Sequence, residues 1–149
     1  MQEYTVTVGD NGDKFWYQNG ELHREDGPAI DYADGDKFWY QNGKPHREDG
    51  AAIEYASGSK FWYQNGKCHR LDGPAIEYAD GDKFWYQNGK RHRLDGPAVE
   101  DADGFKEWYI EGRVLTEEEF NNRNKVEVTL KDIAKAMNID VDKLRIKEH

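Results

Sequence analysis

The sequence predicts a mainly β protein: tandem 23-residue antiparallel hairpin or meander repeats forming an elongated twisted sheet, with a small C-terminal helical cap. Three observations predict it. Trp16, Trp39, Trp62, Trp85 and Trp108 fall at intervals of 23 residues, a period that marks a repeat architecture in which each unit buries its apolar surface only by stacking on its neighbours. Two turn signals divide every copy, Asn-Gly (19–20, 42–43, 65–66, 88–89) and a second turn glycine at Gly12, Gly35, Gly58, Gly81 and Gly104. Between the turns lie Lys-Phe-Trp-Tyr-Gln and Ala-Ile-Glu-Tyr-Ala, whose aromatic and β-branched residues suit a pleated surface.

Each element follows in order. The first copy opens with Thr5-Val6-Thr7-Val8, an alternating strand that stands where later copies have Pro-Ala-Ile-Glu-Tyr. In the full copies the arm after Asn-Gly is short and runs into His-Arg-x-Asp-Gly, followed by Pro28, Pro74 and Pro97 (Ala51 in the remaining copy), where proline confines it to an edge or a turn. The last copy carries Asp101 in place of the arm tyrosine and Ile110-Glu111-Gly112 in place of Gln-Asn-Gly. It leaves the repeat at Leu115, where histidine is due. Thr116-Glu117-Glu118-Glu119-Phe120 reads as a capped helix start with acids at the positive end of the dipole. A second helix is expected from Thr129, with Asp132 at the third position and Leu130, Ile133, Ala134 and Met137 at helical spacing. The chain thus divides into a β-repeat array over 1–115 and a helical cap or docking segment over 116–149.

Asn-Gly fixes a register, because a two-residue type I′ loop needs positive φ at both positions. Gln18 should face Glu21, Tyr17 Leu22, Trp16 His23 and Phe15 Arg24. Continued alternation puts Trp with His on one face, and Phe, Tyr and Arg on the other. At Asp-Gly two registers compete. A three-residue loop groups Ile30, Tyr32, Phe38 and Tyr40 and leaves Trp39 and His46 with Asp31; a two-residue loop sets Trp39 with Ile30.

Composition narrows the function. Hydrophobic residues make up 36% and aromatics 13%, so Trp, Tyr and Phe must supply most of the burial. The net charge is −9, and residues 1–115 hold −8 of it (22 acids, 14 bases). That charge argues against direct nucleic-acid binding, which needs cations for the phosphates, and suits a partner protein with a basic surface. Cys68, in a slot taken elsewhere by Leu22, Pro45 and Arg91, is the single cysteine and forms no intrachain disulfide. No signal sequence or apolar span is evident, so a soluble intracellular protein without membrane attachment is expected.

The unit resembles the His-Arg-Glu/Asp-Asp-Gly-Pro-Ala…Trp-Tyr-x-Asn-Gly repeats of tailed-bacteriophage and giant-virus proteins, distant relatives of the MORN class of β-hairpin repeats. The resemblance covers residues 10–120, closing Trp-Tyr…Leu-Thr-Glu-Glu-Glu-Phe segment included. It implies a small phage protein in the cytoplasm of the infected host cell. The glycine-rich Tyr-x-Gly pattern that accompanies membrane association among MORN proteins is missing, and that property is not carried over.

The histidines at 23, 46, 69 and 92 invite a metal site, yet strands about 4.8 Å apart place equivalent residues roughly 10 Å or more from each other. A shared zinc requires ligands about 2 Å from the ion. Serine occurs only at Ser57 and Ser59, Cys68 has no recurring base partner, and the carboxylates fall in turns. Neither catalysis, metal nor cofactor is expected. The candidate surface is a protein-binding one: Trp39, Trp62 and Trp85, Tyr40, Tyr63 and Tyr86, His46, His69 and His92, with Asp34, Asp80 and Asp82. The expected function is binding and inhibition or redirection of a host protein, a defence system or a nucleic-acid-handling enzyme, with the acidic array standing in for DNA. Two alternatives stay open: a self-assembling or virion-associated scaffold, built from homo-oligomers, and an antitoxin- or immunity-like inhibitor. The stretch 129–139 resembles the opening of a helix-turn-helix, but 141–145 offers barely a turn where a recognition helix should follow.

Overall fold

In a computed structural model, residues 3–125, 129–138, 140 and 142 are described; the expected short turn at 141–145 lies, apart from Asp142, outside them. The chain divides into two compact units, 1–117 and 118–149. The first is the array, a 12-stranded antiparallel sheet accompanied by three two-stranded hairpins.

The sheet grows by two strands per repeat. Ile53–Glu54 pairs on one side with Lys37–Phe38 and on the other with Lys60–Phe61, and Ile76–Glu77 repeats the arrangement one unit on. Ile53 therefore lies between Phe38 and Phe61, and Glu54 between Lys37 and Lys60. Acid and lysine alternate along one face of the whole array, a cross-strand pattern that contributes roughly 0.2–1 kcal/mol per pair.

The Asp-Gly turn closes with the three-residue loop. Ile30 opposes Phe38 and Asp31 opposes Lys37, while the Tyr32 N–H donates to the Asp36 carbonyl (3.0 Å) around a Gly35 at φ 103°. This register places Tyr32 against Phe15 and Phe38, and the edge-to-face contact continues through Tyr55, Phe61, Tyr78 and Phe84 with centroids 5.3–5.9 Å apart. Each such pair adds about 0.5–1.5 kcal/mol beyond its burial. A second staple joins successive turns: Asp13, Asp36 and Asp82 accept the N–H of Ala33, Ala56 and Ala102 (2.7–2.9 Å), and Ser59 does so for Ala79 (3.0 Å). Phe105 takes this place in the last copy and carries no acceptor there, which suits the end of a stack.

The Asn-Gly hairpins take the expected register, with Tyr17 opposite Leu22 and Gln18 opposite Glu21, and asparagine φ values near 50°. They stack as a second row. Gly43 N–H donates to Leu22 O, Gly66 to Pro45 O and Gly89 to Cys68 O, all at 2.9 Å. Buried between the two rows are small residues: Ala29, Ala52, Ala75 and Ala98 are wholly inaccessible.

Helix α1 (Glu117–Asn122) starts at the last residue of the first unit and buries Phe120, over which the Arg123 guanidinium sits at 3.7 Å. Helix α2 (Leu130–Met137) starts with the expected capping box between Thr129 and Asp132, and Asn138 ends it in the left-handed conformation. No helix among the described residues is long and apolar enough to cross a membrane.

Candidate binding surface

At His-Arg-x-Asp-Gly the chain leaves the hairpin, and arginine decides what it does next. Arg47 lies over the Trp39 ring with its guanidinium carbon 4.0 Å from the centroid. Its Nε donates to Asp49 (2.8 Å), and its Nη1 donates to the Ala51 carbonyl (3.1 Å) and to Glu54 (2.9 Å). Arg70 over Trp62 and Arg93 over Trp85, both at 3.9 Å, repeat the whole arrangement. Arg24 stacks on Trp16 and binds Asp26 and the Pro28 carbonyl. The Asp-Gly glycine follows from this stacking: a Cβ at Gly50 would lie 3.0 Å from the Arg47 guanidinium carbon. Hydrogen bonds from Arg24, Arg47, Arg70 and Arg93, with their charge, hold the carboxyls of Asp26, Asp49, Asp72 and Asp95 below the usual range.

Arginine thus shares a face with tryptophan, contrary to the alternation expected from Phe15 facing Arg24. The hairpin holds as far as the histidine, whose N–H donates to the facing tryptophan carbonyl (His23 to Trp16 at 3.0 Å, His46 to Trp39 at 3.1 Å). The chain then leaves it: the arginine N–H donates to the next repeat (Arg24 to the Tyr40 carbonyl, 3.0 Å), so period-two logic no longer applies. The histidines serve the stack. Nδ1 of His23, His46, His69 and His92 accepts the N–H of Asn42, Asn65, Asn88 and Glu111, nineteen residues on, at 3.0–3.1 Å. His46 and His92 are buried. No group of three or more His, Cys, Asp or Glu that could hold a metal ion occurs among the described residues.

Successive loops enclose a row of grooves. The central one, about 700 Å³, has Trp62 and Gln64 beside it, with Glu48 and Asp49 from one loop and Leu71 and Asp72 from the next. Comparable grooves of about 690 and 400 Å³ lie one repeat to either side, at Trp39 with Gln41 and at Trp85 with Gln87. Gln64 is fixed by a hydrogen bond to the Arg47 carbonyl (2.7 Å). The loop tips differ along the row: Glu25 and Glu48 are exposed carboxylates, whereas Leu71 and Leu94 are leucines 76% and 60% exposed.

The expected site residues fall into three places. Trp39, Trp62 and Trp85 line the grooves together with His46, His69 and His92, each tryptophan having one face covered by its arginine. Tyr40 and Tyr63 belong to the opposite, aromatic face; burial first, then neighbouring groups, Tyr55 among them, raise their phenol pKa values. Tyr86 accepts a hydrogen bond from Arg91, which also reaches Tyr109. Asp34 and Asp80 are exposed on the turn edge, where each accepts an N–H of its own turn, and Asp82 is a turn staple. The loop tips were missed by sequence reasoning, although a signal existed. In an array of near-identical copies, a position that reads Glu, Glu, Leu, Leu amid constant neighbours is one the repeat does not hold to a single residue type, although Glu25 and Glu48 come within 3.7 and 3.8 Å of Nε2 of His23 and His46.

Neither a scan against protein-family profiles nor a search of curated proteins returns a match to this chain.

Proposed function

We propose that the chain is a phage-type protein-binding repeat module, not an enzyme, and that it inhibits or redirects a host protein through the row of loops and grooves. One observation carries this reading: the same tryptophan-sided groove recurs at three successive repeats while the loop tips between them change from carboxylate to leucine. Constant residues build the groove, and varied exposed ones offer specificity. A rigid half-buried aromatic surrounded by polar rim is the usual make-up of an interface hot spot. The partner that complements it is a protein face with lysine or arginine opposite Glu25 and Glu48 and an apolar contact for Leu71. The net charge of the array supports a nucleic-acid-handling enzyme or defence protein as target, with carboxylates in place of phosphates.

The test is capture of a stoichiometric partner from nuclease-treated bacterial lysate, followed by titration with Leu71→Asp and Glu48→Lys. Both side chains are exposed, so the fold should persist while affinity drops about tenfold or more. Binding that is unchanged in both variants refutes the loop-row assignment. A complex insensitive to salt and to competing DNA refutes the mimicry.

A further inference from the structure

We infer that the row of grooves takes a proline-rich segment in the polyproline II conformation, with basic residues toward Trp39 and an apolar residue at Trp85. The inference rests on the protein-binding reading above and gives the partner its chemistry. Three features of the row lead to it: its period, its unpaired donors and its change of charge.

The strands set the period. Each repeat adds two strands to the sheet, and the hairpin row keeps step, with Gly43, Gly66 and Gly89 each bonded to the repeat before. At about 4.8 Å per strand, the grooves recur roughly every 9.6 Å. A ligand that fills all three must present side chains on one side at that interval. A β-strand does so every second residue, at about 6.7 Å, and its third residue, near 10 Å, points to the opposite side. An α-helix returns to the same side after seven residues, about 10.5 Å, and so drifts by about 1 Å per groove. Polyproline II has three residues per turn at about 3.1 Å each, so every third side chain returns to the same side after about 9.3 Å. Of the three, only polyproline II keeps register along the row.

Its backbone makes no internal hydrogen bonds, so its carbonyls need donors from whatever it binds. Trp39, Trp62 and Trp85 line the grooves, and among the described residues nothing accepts a hydrogen bond from their indole N–H groups. The one buried side-chain nitrogen or oxygen left without a partner among those residues is His23 Nε2, so each indole N–H is open to solvent. Aromatic grooves of this kind receive proline-rich segments. Both sides are preformed: Arg47, Arg70 and Arg93 hold one face of each tryptophan, and proline fixes φ in the ligand, so little freedom is lost on binding.

The loop tips give the ligand its direction. The groove at Trp39 lies between Glu25 and Glu48, that at Trp62 between Glu48 and Leu71, and that at Trp85 between Leu71 and Leu94. Loop arginines and aspartates pair with each other, so the glutamates decide the local charge, which fades along the row. Cations therefore suit the first groove and an apolar side chain the third.

The probe is a labelled nonapeptide with arginine at positions one and four, leucine at seven and proline elsewhere. Beside it stand its reversed sequence and a peptide of the same composition with these residues at one, three and five. Fluorescence anisotropy with the full chain should show one of the two chain directions binding with a Kd of roughly 10–100 μM, and the respaced peptide at least about tenfold weaker. The indole N–H signals of Trp39, Trp62 and Trp85 in isotope-labelled protein should shift on binding, and that of Trp108, which lines none of the three grooves, should not. Glu48→Lys should lower affinity at least about tenfold, and glutamate in place of the peptide's second arginine should recover part of it. Absence of binding at about 1 mM, equal affinity for both spacings, or binding without the indole shifts overturns the inference. A captured partner that depends on Leu71 and Glu48 yet is not displaced by the peptide overturns it too, while leaving the protein-binding reading in place.

Discussion

Arg70 is the residue on which the stacking of two repeats can be weighed. Arg70→Ala uncovers one face of Trp62, worth about 1 kcal/mol for a partly exposed cation–π pair. It leaves the Pro74 carbonyl, which accepted at 3.1 Å, to find water, at about 1 kcal/mol. The ion pair with Glu77 is 35% exposed on the acid side and adds about 0.5 kcal/mol. Asp72 is fully solvated and contributes nothing to the sum. The expected loss is about 2–3 kcal/mol, or roughly 6–15 °C in the melting temperature of a unit this size. Differential scanning calorimetry, or urea unfolding followed by tryptophan fluorescence, measures it. Arg70→Lys keeps the charge but cannot stack and fork together, so it should recover no more than about 0.5 kcal/mol. Gly73→Ala supplies the coupling: its Cβ would meet the Arg70 guanidinium carbon at 3.0 Å, so it should cost stability in the wild type and markedly less in the Arg70→Ala background. An Arg70→Ala variant within about 0.5 kcal/mol of wild type, or full restoration by lysine, would show that the arginine does not couple the repeats.

Three further outcomes are expected. Asp36→Ala removes the acceptor for the Ala56 N–H and should cost about 0.5–1.5 kcal/mol, with faster amide exchange at Ala56 and no change at the chemically similar but intact Ala102; equal exchange at both sites counts against the turn staple. The lowered carboxyl pKa values of Asp26, Asp49, Asp72 and Asp95 mean that the native state binds fewer protons than the unfolded one in acid. Their stabilisation is complete above the ordinary value of 3.8 and is lost as pH falls through the native values, so the melting temperature should drop below about pH 4, and less so in the fourfold Asp→Asn variant; a melting temperature that rises with acidification contradicts this. Burial pushes the Cys68 thiol up to about 12, so a thiol reagent at neutral pH should label it only on unfolding, and rapid labelling of the native protein would show that the thiol is not enclosed.

Much of the array could be read from the sequence because its local rules are steric. An asparagine followed by glycine in every copy announces a turn with positive φ at both residues, and the φ values near 50° at Asn19, Asn42, Asn65 and Asn88 are that requirement met. Thr129 with Asp132 announced a helix cap for the same reason, since both partners lie within one turn. The Asp-Gly register stayed open between two loops, because glycine serves either. It is settled in the structure by groups about twenty residues apart: Asp36 reaching the Ala56 amide and Tyr32 fitting between Phe15 and Phe38.

By itself, then, the sequence determined the period, the turns, the strand arms and the departure into helix after Leu115. Only the tertiary structure decided the roles of the conserved-looking polar residues within each copy. Histidine reads only as the residue facing tryptophan until its Nδ1 is seen taking the amide of the next repeat, and arginine reads as a partner of phenylalanine until the chain leaves the ladder and lays it on tryptophan. The reason is physical. Backbone sterics act within a few residues and are written in local sequence, whereas a side chain's partner depends on which copy stacks above it and where the strand stops being a strand.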